Sequence, residues 1–171
     1  YGARYIELEI FNRDIEHKSH PVIGIGSEHS QIIDTQNVLD CKDVFTAIRE
    51  RIFSEKYVDN YTDPFFIFLN LETKNNINSL NKLYDIIKDV FRDRLLDETY
   101  SYQKINIANT PMCKLMNKVI LFSSDGYEFS KLEEIINLST TNPNLNRLKY
   151  DELPVKEDMA LKQKVPIIDL E

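Results

Sequence analysis

Three glutamates are the residues of this sequence whose types and spacing could do chemistry. Glu7 and Glu9 lie two residues apart in a segment where apolar and polar residues alternate, and Glu72 ends an apolar run. Side chains two residues apart on a strand leave the same face, with backbones about 6 to 7 Å apart, so the first two carboxylates can converge on one cation. A third carboxylate at the same place would complete an oxygen-rich site for a hard cation such as Ca²⁺.

A second interpretation of these glutamates needs no ligand. On an ordinary two-layer sheet, the face that carries Glu7 and Glu9 would simply point into water, opposite the apolar face of Ile6, Leu8 and Ile10. The functional interpretation requires a barrel, in which helices cover the outer face and the inner face approaches an active site. The alternation alone leaves both interpretations open.

The elements that must position these side chains are strands that alternate with helices. The alternating segment at residues 4–11 predicts a first strand, and the apolar run at 65–72 predicts a strand buried on both faces. The other predicted elements are a strand at 21–26, an amphipathic helix at 43–53, a long helix at 77–95, a short helix starting at 110–111, a strand at 118–123, a helix opened by a capping box at 130–133, and a candidate strand at 165–170.

This alternation of elements predicts an α/β fold with a parallel sheet. A complete barrel of eight strands and eight helices needs roughly 250 residues. The chain has 171 residues, so it can hold only part of one, and the fold class that we predict is a partial TIM-type barrel. Glu72 then stands at the carboxyl end of a barrel strand, where catalytic groups gather.

Composition argues against several classes of protein. The chain has 21 Lys and Arg against 28 Asp and Glu, a net charge of −7, and no block of basic residues, so we expect no nucleic-acid partner. Its longest apolar runs fall far short of the roughly 20 residues that cross a bilayer, and we expect a soluble, cytoplasmic protein. Cys41 and Cys113 lack the spacing of a disulfide framework or a four-thiolate zinc site, which predicts two reduced thiols.

Several sequence motifs occur in the same order as in a known protein family. Residues 1–11 resemble the Gly-x-Arg-x-x-Glu-Leu-Asp-x-Trp strand in the catalytic X region of phosphatidylinositol-specific phospholipases C. Four further segments follow in that family's order: 21–26 is similar to its Pro-Val-Ile-Tyr-His-Gly strand, 43–48 to the helix after it, 66–72 to its Val-Ile-Leu-Ser-Leu-Glu strand, and 110–121 to its Ser-Pro-x-x-Leu-Lys-Gly-Lys-Ile-Leu-Leu segment. The resemblance covers residues 1 to 124.

The resemblance implies a distorted TIM barrel whose open end binds Ca²⁺ beside a phosphoinositide or other phospholipid head group. Such a protein would be a phosphoric diester hydrolase that makes peripheral contact with membranes and cleaves the glycerol–phosphate bond with help from the metal. Glu7 matches the first metal carboxylate, Glu9 stands where the family has Asp, and Glu72 matches the third. Residues 1–138 would be an X-region-like half-barrel without its first strand, and residues 139–171 would lead towards the second half.

Three positions depart from the family's pattern. Ile25 occupies the position of the second catalytic histidine, and an aliphatic side chain can neither donate a proton nor polarise a phosphoryl oxygen. Phe122 and Ser124 stand where the family has phosphate-binding lysines. The strand that carries the family's first catalytic histidine would precede Tyr1.

The catalytic candidates are therefore Glu72 and His29, a histidine four residues beyond Ile25 that could replace the lost one; His17 and His20 are weaker candidates. Two functions follow from the resemblance. The first is an active, calcium-dependent phospholipase C-like hydrolase. The second is a catalytically lapsed barrel that acts as a binding or scaffold module. An unrelated α/β domain with solvated carboxylates is a third, separate interpretation.

Overall fold

The computed structural model describes residues 2–15, 18–25 and 38–139, which form a six-stranded sheet flanked by helices. The strands are β1 (Tyr5–Ile15), β2 (Lys18–Ile23), β3 (Leu39–Asp40), β4 (Phe65–Glu72), β5 (Val119–Ser123) and β6 (Leu138–Ser139). The α-helices are α1 (Cys41–Ile52), α2 (Ile77–Phe91) and α3 (Met112–Leu115). The strand order is β3-β2-β1-β4-β5-β6.

The sheet is mixed rather than wholly parallel. β1, β4, β5 and β6 run parallel, whereas β2 is antiparallel to both β1 and β3. The prediction of a parallel sheet is therefore wrong for the second strand, which also begins at Lys18 rather than at residue 21. The physical reason is the length of the connection, because β2 begins three residues after Ile15 and a parallel partner needs a crossover of a dozen or more residues.

The main core lies between the sheet and the helices α1 and α2. Along β4 the side chains alternate between buried and half-buried, so the prediction of a strand buried on both faces is also corrected. Ile67 and Leu69 point to the helices and are fully buried. Phe45 of α1 packs against Phe91 of α2 with ring centroids 5.6 Å apart, which joins the two helices over this face.

A second, smaller apolar cluster lies on the opposite face of the sheet. Its buried members are Leu96, Ile107, Leu115 and Ile120, with Phe66, Tyr100, Phe122 and Leu138 packed against them. Ile120 pairs directly with Phe66 near the start of β4. The segment between α2 and β5 therefore covers the amino-terminal part of this face, away from Glu72.

Local capping explains where the helices begin. The side chain of Asp40 accepts a hydrogen bond from the Lys42 amide at the start of α1, and that of Asn76 accepts one from the Ser79 amide at the start of α2. The predicted long helix ends at Phe91 rather than at residue 95, because the chain turns at Arg92 with a φ of 45°.

The capping box at residues 130–133 opens a shorter element than the predicted helix. The Ser130 side chain accepts from the Leu132 amide, but the following turn, Lys131–Glu134, is a 3₁₀ helix. Over the part of the chain that the structure describes, no helix has both the length and the apolar character to cross a bilayer.

The two cysteines, both free thiols, should differ sharply in reactivity. Cys41 is fully buried. This burial, and to a lesser extent the charge of Asp40, raises the pKa of its thiol to about 12, so the thiol stays protonated at neutral pH. Cys113 is exposed. A thiol-reactive disulfide reagent should therefore label one thiol per native chain and two after denaturation. A native Cys113→Ser variant that still reacts quickly would contradict this assignment.

Candidate functional site

The pairing of β1 with β4 places the three predicted glutamates on one face of the sheet. The register pairs are Glu7 with Phe68, Glu9 with Asn70, and Phe11 with Glu72. Residues that pair directly share a face, as do residues two positions apart along a strand. The side chains of Glu7, Glu9 and Glu72 therefore lie on the face away from α1 and α2, which we call the acidic face.

The register also determines the spacing within the acidic face. Glu9 and Glu72 are on neighbouring strands and are offset by two positions in the strand register, which puts their Cα atoms about 8 Å apart. Glu7 and Glu72 are offset by four positions in the register, which puts their Cα atoms about 14 Å apart. Glu9 is thus the central member of the row, next to each of the other two.

The carboxylates of the acidic face are of the type that binds a hard cation. Their convergence on one ion stays a prediction. Carboxylate oxygens are the donors that Ca²⁺ prefers, and Glu9 and Glu72 are half-buried carboxylates on adjacent strands. Within residues 2–15, 18–25 and 38–139, no three His, Cys, Asp or Glu side chains lie close enough together to hold a metal ion. The structure therefore places the three glutamates on a common face without drawing their carboxylates onto one point.

Asn70 is a member of this face that the sequence analysis missed. It pairs with Glu9 across the strands and precedes Glu72 by two residues, so it shares the acidic face with both glutamates. An amide oxygen is a neutral ligand of the kind found around Ca²⁺. The sequence did contain a sign that Asn70 belongs to this face. It is the sole polar residue within the apolar run 65–71, and it lies two residues before Glu72.

Arg4 fixes the start of the strand that carries Glu7 and Glu9. Its guanidinium donates hydrogen bonds to the carbonyl oxygens of Ile52 at 2.6 Å, Pro64 at 3.3 Å, and Asp63. Burial lowers the pKa of this guanidinium, and the charge of Asp63 opposes that shift. Arg4 thereby ties β1 to the end of α1 and the start of β4, which holds the register of the acidic face.

The histidine candidates are only partly described. His29 and His17 lie outside the described residues, so their proposed roles stay predictions. The Nε2 atom of His20 lies 2.6 Å from the ammonium nitrogen of Lys82, a partner in helix α2. Ile25 follows β2, and its side chain is 68% exposed. The amide of its neighbour Gly24 donates to the Glu9 carbonyl at 3.3 Å, so Ile25 lies one residue from a direct contact with β1.

The two positions that lack the family's lysines have other partners. Phe122 packs against Phe66 with ring centroids 5.6 Å apart, within the second apolar cluster. The hydroxyl of Ser124 donates to the Asp125 carboxylate at 3.2 Å. At these two positions the structure shows an apolar contact and a serine–aspartate hydrogen bond.

Comparisons with known proteins give matches among solved structures alone. No family model matches the chain, and no curated protein matches it. PLC21 from S. officinalis has a TM-score of 0.49 and 17% identity, over 78% of this chain and 15% of that protein. A Ca²⁺-dependent phosphatidylinositol-specific phospholipase C from Streptomyces antibioticus has a TM-score of 0.45 and 13% identity, over 95% of this chain and 54% of that one. The chain therefore spans about a seventh of the length of the first structure and about half of the second.

Proposed function

We propose that this chain forms part of a phospholipase C-like phosphoric diester hydrolase that acts on phosphoinositides with the help of Ca²⁺. The observation that carries the proposal is the acidic face itself. Glu7, Glu9 and Glu72 come from two segments that resemble the X region. Glu72 follows Glu9 by 63 residues, and strand pairing brings the three to the same side of adjacent parallel strands. Glu7 and Glu9 share a face by alternation in either interpretation, so the informative member is Glu72, which the strand register places on the same face.

The proposed architecture is a partial TIM-type barrel formed by residues 1–138. In such a barrel the helices form the outer layer and the opposite sheet face lines the interior. Here α1 and α2 pack on one face of β1 and β4, and the glutamates lie on the other. Glu72 is the last residue of β4, the end at which barrel enzymes bind their substrates.

Each residue of the acidic face has a proposed role. Glu9 and Glu72, with Glu7 beyond them, would hold the ion, and Asn70 on the same face would offer a neutral oxygen donor. Bound Ca²⁺ would offset the negative charge that accumulates on the phosphoryl oxygens during cleavage. His29 is the proposed acid–base group in place of the missing histidine, and Glu72 is the proposed catalytic carboxylate.

A lapsed relative is the second candidate function, and the residues at two positions favour it. Ile25 cannot move a proton, and acid–base groups typically contribute about 10²- to 10⁴-fold to rate. Phe122 belongs to an apolar cluster where a cation would be needed to read a head-group phosphate. A protein of this kind would bind the ion or the head group without turning it over.

The decisive assay is release of inositol phosphate from phosphatidylinositol, in Ca²⁺ and in excess chelator. Hydrolysis that the chelator abolishes is the expected result for the enzyme. Ca²⁺-dependent binding of phosphatidylinositol without hydrolysis would identify the lapsed module. If neither hydrolysis nor Ca²⁺-dependent binding occurs with the full-length protein, both functions are wrong.

A further inference from the structure

A series of hydrogen bonds ties the β1–β2 hairpin to the start of α2. The amide nitrogen of the Asn12 side chain donates to the Asp14 carboxylate at 3.1 Å, and the Ser19 hydroxyl donates to the same oxygen at 3.3 Å. The amide nitrogen of the Asn76 side chain donates to the Ser19 oxygen at 3.0 Å. The Asn76 side-chain oxygen accepts from the backbone amide of Ser79 at 3.1 Å. The series therefore runs from Asn12 on β1 to Ser79 in the first turn of α2.

Both ends of this series carry a buried oxygen that lacks a hydrogen-bond partner. The Asn12 side-chain oxygen and the Ser79 hydroxyl make no hydrogen bond within residues 2–15, 18–25 and 38–139, and neither does the Thr73 hydroxyl. Ser79 and Thr73 are 0% and 2% exposed. Buried polar atoms without a partner are rare in native proteins, because each gives up its hydrogen bonds to solvent on folding. These three oxygens therefore call for a common partner.

The fold brings the three oxygens to one junction. The last register pair of β1 and β4 directly precedes Asn12 and Thr73, so these two residues lie side by side at the end of the sheet. The Thr73 carbonyl accepts from the Asn76 backbone amide at 3.2 Å, and the Asn76 side chain caps the turn that contains Ser79. The oxygens thus lie where the end of the sheet meets the first turn of α2.

This junction can hold only a small group. The next residues inward on β1, β4 and α2 are Ile10, Leu71 and Leu80, all of which are buried. The side chains of Thr73 and Ser79 are smaller than these, which leaves room at the junction. Because the unpartnered oxygens are buried, the occupant must be enclosed with them, as single water molecules are in many protein interiors.

The hydrogen-bonding needs of the three groups distinguish a water molecule from an ion. The Asn12 oxygen can only accept, because the nitrogen of the same amide is directed at the Asp14 carboxylate. The hydroxyls of Thr73 and Ser79 each have a proton to donate. A monovalent cation would bind the three oxygens and leave both hydroxyl protons without an acceptor. A water molecule can accept from both hydroxyls and donate to the amide oxygen.

We propose that one buried water molecule bridges Asn12, Thr73 and Ser79 and closes the hydrogen-bond series into a ring. It accepts from the two hydroxyls and donates one proton to the Asn12 oxygen, and its second proton can go to a backbone carbonyl, which has two lone pairs. The ring holds the hairpin and α2 against the end of β4, one residue beyond Glu72. This water belongs to the fold and requires neither Ca²⁺ nor a substrate.

The Thr73→Val variant tests this site by the direction of its effect on stability. The change keeps the shape of the side chain and removes its hydroxyl. If the hydroxyl binds the water, its loss removes one of the hydrogen bonds that hold the water, and the equilibrium constant for unfolding should rise about 5- to 30-fold. If the hydroxyl has no partner, its removal relieves a desolvation cost and the constant should fall. Urea unfolding of the full-length protein, in chelator, measures the constant.

The matched control is Thr46→Val. Thr46 is half-buried on α1, outside the series of hydrogen bonds, and this change should alter the unfolding constant by no more than about twofold. A high-resolution crystal structure of the wild type gives the direct measurement. We expect one density peak within hydrogen-bonding distance of the three oxygens.

Three results would overturn the proposal. They are an unfolding constant that is unchanged or lower in Thr73→Val, a peak that gives the anomalous signal of rubidium in crystals grown with that ion, and a junction filled by a protein side chain. The first would mean that the hydroxyl is unpartnered, and the second would identify a cation site. None of these measurements involves turnover or Ca²⁺, so failure of the proposed function would not affect them.

Discussion

Replacing Glu72 by glutamine should lower Ca²⁺-dependent hydrolysis of phosphatidylinositol by about 10²-fold or more, the lower end of the range for a catalytic group. The change keeps the size of the side chain and removes its charge. Glu72 lies at the end of β4 and diagonally across from Glu9, so the change removes one of the two carboxylates that would hold the ion from adjacent strands. Initial rates at saturating Ca²⁺ measure the effect.

The matched control for that change is Glu50→Gln. Glu50 is an exposed glutamate on α1, the helix that packs against the other face of the sheet. It should leave turnover unchanged. If Glu72→Gln and Glu50→Gln give the same rate as the wild type, the acidic face is not where the reaction occurs.

The largest effect on stability is expected at Phe91. Its side chain is fully buried at the end of α2 and packs against Phe45 of α1. Truncation of such a side chain to alanine removes its transfer free energy and leaves a cavity, at a cost of about 3–5 kcal/mol in the free energy of unfolding. Urea unfolding followed by circular dichroism should show this loss as a lower midpoint with an unchanged slope.

The comparison that isolates burial is Phe129→Ala. It deletes the same atoms from a side chain that is 89% exposed, and it should change the free energy of unfolding by no more than about 0.5 kcal/mol. Similar losses in the two variants would mean that Phe91 does not lie in the core described here.

Much of the fold could be predicted from the hydrophobic pattern. The first strand, α1, β4, α2 and β5 are confirmed as elements. The first strand alternates, α1 and α2 have a period of 3.6 residues, and β4 and β5 are short apolar runs. The antiparallel β2 could not be predicted from its own residues, because strand direction depends on the connection rather than on the pattern. The early end of α2 depends on a single residue, Arg92, whose left-handed backbone no periodicity reports.

The candidate site was predictable in part. The i, i+2 spacing of Glu7 and Glu9 assigns them to one face, but only the strand register shows that Glu72 shares it. Asn70 was missed because a single polar residue in an apolar run does not by itself indicate a site. Its relevance appears only when its partner on the neighbouring strand, Glu9, is known. Arg4, which belongs to the resembled motif, makes its contacts with backbone carbonyls 48 to 60 residues away, and no local pattern could reveal them.

Calorimetric titration of the full-length protein with Ca²⁺ tests the central claim most directly, because it measures the ion on the acidic face without requiring turnover. The account predicts saturable binding by the wild type, lost or much weakened in Glu9→Gln and Glu72→Gln and retained in Glu50→Gln. Absence of binding by the wild type, or equal affinity in all four proteins, would contradict it.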